Sequence, residues 1–146
     1  RDAGSVALAR TSNAGGADCQ NHAVGKDKRL YAYVAQRCAE WDRDATADVF
    51  LVVGATTPDE LEDVRELVPD LPFLVPGVGA QGGDSEAAIE YGLADGVGRV
   101  NSSRGIICAG EEYEAQDTAD RGAPETVFEA AGQAAKQLQR QLNQYR

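Results

Sequence analysis

Four short apolar runs, each followed by a polar or glycine-rich turn and then a helix-like stretch, organise the whole chain and leave it few architectures. The plainest run, Asp48-Val49-Phe50-Leu51-Val52-Val53, is continuous and rich in β-branched residues, as in strands that a parallel sheet buries on both faces. Ser5-Val6-Ala7-Leu8-Ala9, Phe73-Leu74-Val75 and Gly98-Arg99-Val100 are the others. Between them the spacing predicts a helix over residues 29–41, with Leu30, Val34, Cys38 and Trp41 on one face. A second helix is expected to start at Thr57 as N-cap, with Pro58 in the first position, Glu60 in the third, and Leu61, Val64, Leu67 and Val68 as its apolar face; Pro69 ends it. Asp84 can cap a short helix through Ile89 and Tyr91. Pro124 is expected to open a long terminal helix with a stripe of Val127, Phe128, Ala131, Ala135, Leu138 and Leu142. Residues 10–27 and 111–122 read as polar loops. Four βα units in a row predict an α/β protein with parallel strands. Four strands are too few to close a TIM (β/α)8 barrel, so if the fold is that barrel, residues 1–146 supply the second half of a single domain.

The 146 residues carry 24 Asp+Glu against 14 Lys+Arg, which argues against nucleic acid or an anionic membrane as a general partner. No apolar run is long enough to span a bilayer, and the start lacks the basic flank and apolar stretch of a signal peptide, so a cytoplasmic protein is expected. Cys19, Cys38 and Cys108 form no CxxC pair, which points to reduced thiols rather than zinc or disulfides. There is no Met, even at position 1, and a piece of a longer chain is expected. The basic residues are 11 Arg to 3 Lys and the acids are dispersed, a flavour shared by proteins adapted to high salt and by ordinary acidic surfaces.

The polar residues of interest all follow strands. Ser12, Asn13, Thr56, Gln81 and Arg104 lie just beyond strand C-terminal ends, where barrels and open sheets place ligands. Two turns stand out: Pro76-Gly77-Val78-Gly79-Ala80-Gln81-Gly82-Gly83-Asp84 and Asn101-Ser102-Ser103-Arg104-Gly105-Ile106. Glycines let the backbone approach an anion with its N–H groups free, and an arginine adds a planar fork of donors, so the pair reads as a two-sided phosphate grip. The plainer readings are a tight strand-to-helix turn for the glycines, a surface ion pair for Arg104 and a turn cap for Ser12. His22 has no partner at catalytic or ligand spacing and reads as exposed. Tyr31, Tyr33 and Trp41, at helical positions, read as packing or interface residues.

Arg10-Thr11-Ser12-Asn13, Val53-Gly54-Ala55-Thr56 and the two turns, in this order and spacing, resemble orotidine 5'-phosphate decarboxylase, above all its longer bacterial and archaeal subgroup, over essentially the whole chain. The resemblance implies a TIM barrel that acts as a homodimer with active sites at the interface and converts orotidine 5'-phosphate to UMP without a cofactor or metal. By position, Arg104 and Gln81 resemble the side chains that clasp the phosphate, with the amides of Ser103 and Arg104 beside them. Ser12 matches the serine that hydrogen-bonds the pyrimidine, and Pro76 and Val78 match residues lining base and ribose. Ala14 departs from the pattern, which has proline there. The family's Asp-x-Lys-x-x-Asp motif, whose lysine protonates the carbon that loses carbon dioxide, is absent, because Lys26-Asp27-Lys28 has the wrong spacing. The resemblance thus implies no catalytic residue in this chain and an N-terminal half of the barrel as its partner. Other phosphate-binding barrels, such as ribulose-phosphate epimerase or hexulose-phosphate synthase, and a non-catalytic nucleotide-binding half-barrel are the competing readings.

Overall fold

The computed structural model describes residues 4–44, 46–93, 98–110 and 126–146. Strand β1 (Ser5–Arg10) leads through a short helix α1 (Gly16–Gln20) and a small antiparallel ribbon, β2 (Ala23–Val24) with β3 (Lys28–Arg29), into α2 (Leu30–Asp44). Three further βα units follow: β4 (Val49–Val53) with α3 (Pro58–Leu67), β5 (Phe73–Pro76) with α4 (Ser85–Glu90), and β6 (Gly98–Asn101) with α5 (Ser103–Ile107). A long helix α6 (Val127–Leu142) ends the described chain in a 3-10 turn, Asn143–Tyr145.

The main sheet is parallel throughout, in the order β1-β4-β5-β6, so successive βα units lie side by side. Strand period two sorts its side chains. Leu51, Val53, Phe73 and Val75 point to the helix layer and are fully buried, against Leu61 and Val64 of α3, Ala87 and Ala88 of α4, and Ala35 and Cys38 of α2. The other face is open. Val6 pairs with Phe50 and Leu8 with Val52, which pairs in turn with Leu74, and this apolar row leaves Val6 59 % and Leu8 62 % exposed. An eight-stranded barrel would enclose such a row in its packed interior.

Several local expectations need correction. Residues 10–27 are not one loop, since α1 and β2 lie within them; α1 has five residues, too few for a periodic signal. The buried residues of α2 are Tyr31, Ala35 and Cys38; of the expected stripe Cys38 is buried and Val34 packs against the core, whereas Trp41 lies outward under the Arg37 guanidinium, 5.7 Å from its ring centroid. Tyr31 packs in the core, whereas Tyr33 is exposed, as is His22. Thr57 makes no side-chain cap bond to α3, and Glu60 reaches away from the helix to Arg10 and Asn21, because a buried guanidinium competes successfully for the carboxylate. Asp84 does cap α4, accepting from the amides of Glu86 (2.8 Å) and Ala87 (3.0 Å). In α6 only the later part of the stripe docks: Leu138 and Leu142 pack on the core while Phe128 is 88 % exposed. Thr126 caps this helix; Pro124 and residues 111–122 lie outside the described residues.

Candidate functional site

The turn after β5 is shaped by glycine. Gly77 has φ +99°, Gly79 +84° and Gly82 +70°, which L side chains rarely adopt. The loop folds back on itself through Gly83 N–H to the Gly77 carbonyl (2.9 Å) and Gly82 N–H to that of Gly79 (2.8 Å), and Asp84 N–H ties it to the Ala55 carbonyl (2.9 Å). Gly77 also sits at a crossroads. A Cβ there would stand 2.9 Å from Ser12 Cβ, 3.1 Å from Gln81 Oε1 and 3.2 Å from Thr56 Cγ2. Ser12 and Gln81, 69 residues apart, therefore both crowd the same glycine.

The turn after β6 is locked to the first by Ser102, a buried serine whose hydroxyl donates to the Val78 carbonyl (2.9 Å). Between the two turns lies a cleft of about 90 Å³, lined by Pro76, Gly77, Val78, Gln81, Ser102, Ser103 and Arg104 among others, with room for a group of phosphate size. Of the residues expected from the sequence, Pro76, Val78, Gln81, Ser103 and Arg104 line this cleft, and Ser12 adjoins it through Gly77. Val78 is itself buried, its carbonyl held by Ser102. Gln81, Ser103 and Arg104 are exposed, and among the described residues nothing hydrogen-bonds or pairs with the Arg104 guanidinium. The cleft can thus offer an anion a charged fork, an amide and a hydroxyl at once.

Sequence reasoning missed three residues that hold this arrangement. Ser102 was read only as part of the turn; Thr56, whose hydroxyl donates to the Ser12 carbonyl (3.1 Å), only as a strand-end polar residue; and Arg10 only as the first letter of a motif. A charged residue closing an apolar strand was the available signal for Arg10. Beneath the turns, Glu60 is pushed up by its burial but pulled further down by hydrogen bonds from Asn21 and Arg10 and by the Arg10 charge, so its carboxyl titrates below the ordinary range. Among the described residues no group of three or more His, Cys, Asp or Glu could hold a metal ion, and no helix is long and apolar enough to cross a membrane.

Parallel βα units whose polar side chains gather beyond the strand C-terminal ends define a member of the βα-barrel class, here with half the strands of a closed barrel. No family model matches the chain. Over 145 residues, 99 % of its length, it is 61 % identical to orotidine 5'-phosphate decarboxylase of Natronomonas pharaonis and 58 % identical to that of Haloarcula marismortui. Each match takes in 50 % of the relative. Among solved structures, OMP decarboxylase of Leishmania donovani superposes with a TM-score of 0.62 at 36 % identity, over 92 % of this chain and 46 % of that one. The UMP synthase of the same organism gives 0.65 at 39 %, over 90 % and 26 %. Over nearly its whole length the chain is similar to orotidine 5'-phosphate decarboxylases, and it spans about half the length of the curated relatives it matches.

Proposed function

We propose that the chain is the C-terminal half of an orotidine 5'-phosphate decarboxylase barrel, that it carries the phosphate and base contacts of the substrate, and that an N-terminal half supplies the catalytic lysine and aspartates. The observation that carries this reading is the convergence of Gln81, Ser103 and Arg104 on one cleft beyond β5 and β6, with Ser12 and Gln81 both close against Gly77. Arg104 and Gln81 clasp the phosphate of orotidine 5'-phosphate or UMP, Pro76 and Val78 border the base and ribose, and Ser12 hydrogen-bonds the pyrimidine. The open apolar face of Val6, Leu8, Phe50, Val52 and Leu74 supports the missing half as partner, since burying it removes apolar surface from water. The assembled enzyme is a cytoplasmic homodimer.

In this scheme the chain's share of catalysis is binding. A phosphate held far from the reacting carbon contributes energy that the complete site uses to place the carboxylate against the aspartates of the other half and to stabilise the transition state. The test is calorimetry on the assembled enzyme. Charge-assisted hydrogen bonds contribute roughly 1.5–3 kcal/mol, so Arg104→Ala should weaken UMP by about ten- to a hundredfold, and Gln81→Ala by less because its amide is neutral. Uridine, which has no phosphate, should bind both variants as it binds the unaltered enzyme. Equal weakening of uridine and UMP would refute the two-turn phosphate site. Turnover of ribulose 5-phosphate instead of orotidine 5'-phosphate would favour an epimerase-like barrel, and UMP binding without turnover by the assembled halves would favour a non-catalytic one.

A further inference from the structure

Behind the Ser12 turn lies a second polar cluster that lines no part of the cleft. Arg10, the last residue of β1, is 3 % exposed, and its guanidinium is claimed from two directions. Nε donates to the Glu60 carboxylate on α3, while one terminal nitrogen donates to the Thr11 carbonyl (2.8 Å) and to Gln20 Oε1 (3.3 Å) at the end of α1. Gln20 Oε1 also accepts from the Thr11 amide (3.0 Å) and the Thr11 hydroxyl (3.2 Å), and the other Glu60 oxygen accepts from Asn21 Nδ2 (2.7 Å). The segment from Thr11 to Asn21 is thereby closed at both ends on one ion pair. Gly16 sits inside this ring, where a Cβ would stand 2.7 Å from Thr11 Oγ1 and 3.0 Å from Gln20 Oε1.

A buried ion pair adds little net stability compared with an apolar pair of equal volume, but it holds the groups it joins to one geometry. The closed segment has few apolar contacts of its own: Asn13, Ala14, Gly15, Ala17, Asp18 and Cys19 are exposed. What sets the place of Ser12 is polar, with Arg10 and Gln20 on one flank and the Thr56 hydroxyl on the other. We infer that Arg10 and Glu60 are positioning residues: their pair holds the Ser12 turn against Gly77 and Gln81, and so sets recognition of the base while leaving the phosphate grip alone. The inference rests on the reading of Ser12 as the base contact.

Calorimetry on the assembled enzyme with UMP and with ribose 5-phosphate, which lacks a base, separates the two subsites. Glu60→Gln and, independently, Gln20→Ala should each weaken UMP about tenfold, the net contribution of roughly one hydrogen bond, and leave ribose 5-phosphate unchanged. Gln20→Glu, which keeps the acceptor, should restore UMP binding. In a Ser12→Ala background Glu60→Gln should add nothing further, since both changes remove the same contact. Without ligand, Glu60→Gln should speed hydrogen exchange at the amides of residues 11–16 but not of 77–83. Equal losses for both ligands, additive losses with Ser12→Ala, or unchanged exchange at residues 11–16 would overturn the inference. If the unaltered enzyme bound UMP no more tightly than ribose 5-phosphate, the base contact itself would fall, and the exchange rates would still decide whether the pair holds the turn.

Discussion

Replacing Arg65 by Met should unfold the protein about 3–5 kcal/mol more easily without altering ligand affinity in the molecules that stay folded. Arg65 lies in the last turn of α3 and is buried. Its Nε donates to the Tyr91 carbonyl (2.7 Å), and its terminal nitrogens reach those of Val68 (3.4 Å), Pro69 (2.8 Å), Leu71 (2.9 Å) and Gly92 (3.3 Å). These are the carbonyls left at the ends of α3 and α4, where a helix has no further amides to offer. The guanidinium also stacks on Phe73, 3.6 Å from the ring centroid. Val68, Leu71 and Gly92 are buried, so water cannot readily replace the donor there. Three carbonyls stranded at about 1 kcal/mol each, with up to about 2 kcal/mol for the stacked cation, give the figure above. Against a total stability of about 5–15 kcal/mol this is a large share, worth on the order of 10 °C in Tm. Met keeps most of the aliphatic volume, so the loss measures the fork rather than a cavity. Lys should recover only part of it, because one ammonium cannot span two helix ends. Urea unfolding of the assembled protein reads the difference, and titration with UMP reads the affinity. The helix C-termini lie at the end of the sheet opposite the turns, where residues act on stability rather than on ligands. A Met variant within about 1 kcal/mol of the parent would refute the accounting, and one of parent stability but weakened UMP binding would refute the separation of the two ends.

Gly77→Ala should cost about 1–2 kcal/mol for the left-handed backbone alone, and its methyl should push Ser12 from Gln81, so UMP should weaken more than ribose 5-phosphate in calorimetry. Tyr31 donates to the Asp63 carboxylate (3.0 Å), and burial, with that bond and charge, pushes its phenol up to about 12. Its raised pKa contributes stability that is complete below about pH 10 and is lost as pH rises from there toward 12, so Tyr31→Phe should flatten the alkaline limb of a Tm-against-pH curve. With a net charge of −10 spread over the chain, and relatives in halophilic archaea, self-repulsion should lower Tm at low ionic strength and be screened in molar potassium chloride; a salt-independent Tm would refute this.

What could be read from the sequence was local. The glycines of the β5 turn announce a tight turn without any partner being known, and three of the four take positive φ; Asp84 announces a cap because the amides it accepts from are two and three residues away. The apolar runs announce parallel strands because a strand buried on both faces has no alternation to lose. By contrast, the bonds that lock the turns join residues far apart: Arg10 to Glu60 across 50 positions, Thr56 to Ser12 across 44, Ser102 to Val78 across 24. No spacing rule reaches that far, so Glu60 looked like a capping-box residue and residues 10–27 looked like loop. The stripe of α2 failed only in part, at Trp41, since Cys38 is buried and Val34 packs against the core as expected. Weighting large side chains put Trp41 on the core face, whereas the core took Tyr31, Ala35 and Cys38 and left Trp41 to a cation above its ring.

The same reasoning bears on the proposed N-terminal half. Leu51, Val53, Phe73 and Val75 are accounted for by the helices that cover them, but Val6, Leu8, Phe50, Val52 and Leu74 are equally apolar with no layer over them among the described residues. Alternating polar residues would suffice for a sheet with one solvated face. An apolar face costs solubility, and among the described residues the edges of β1 and β6 are unpaired, a penalty that the proposed partner half would remove. Closing β1 and β6 against four further strands meets both needs at once, because it pairs the edges and encloses the apolar row in the same step.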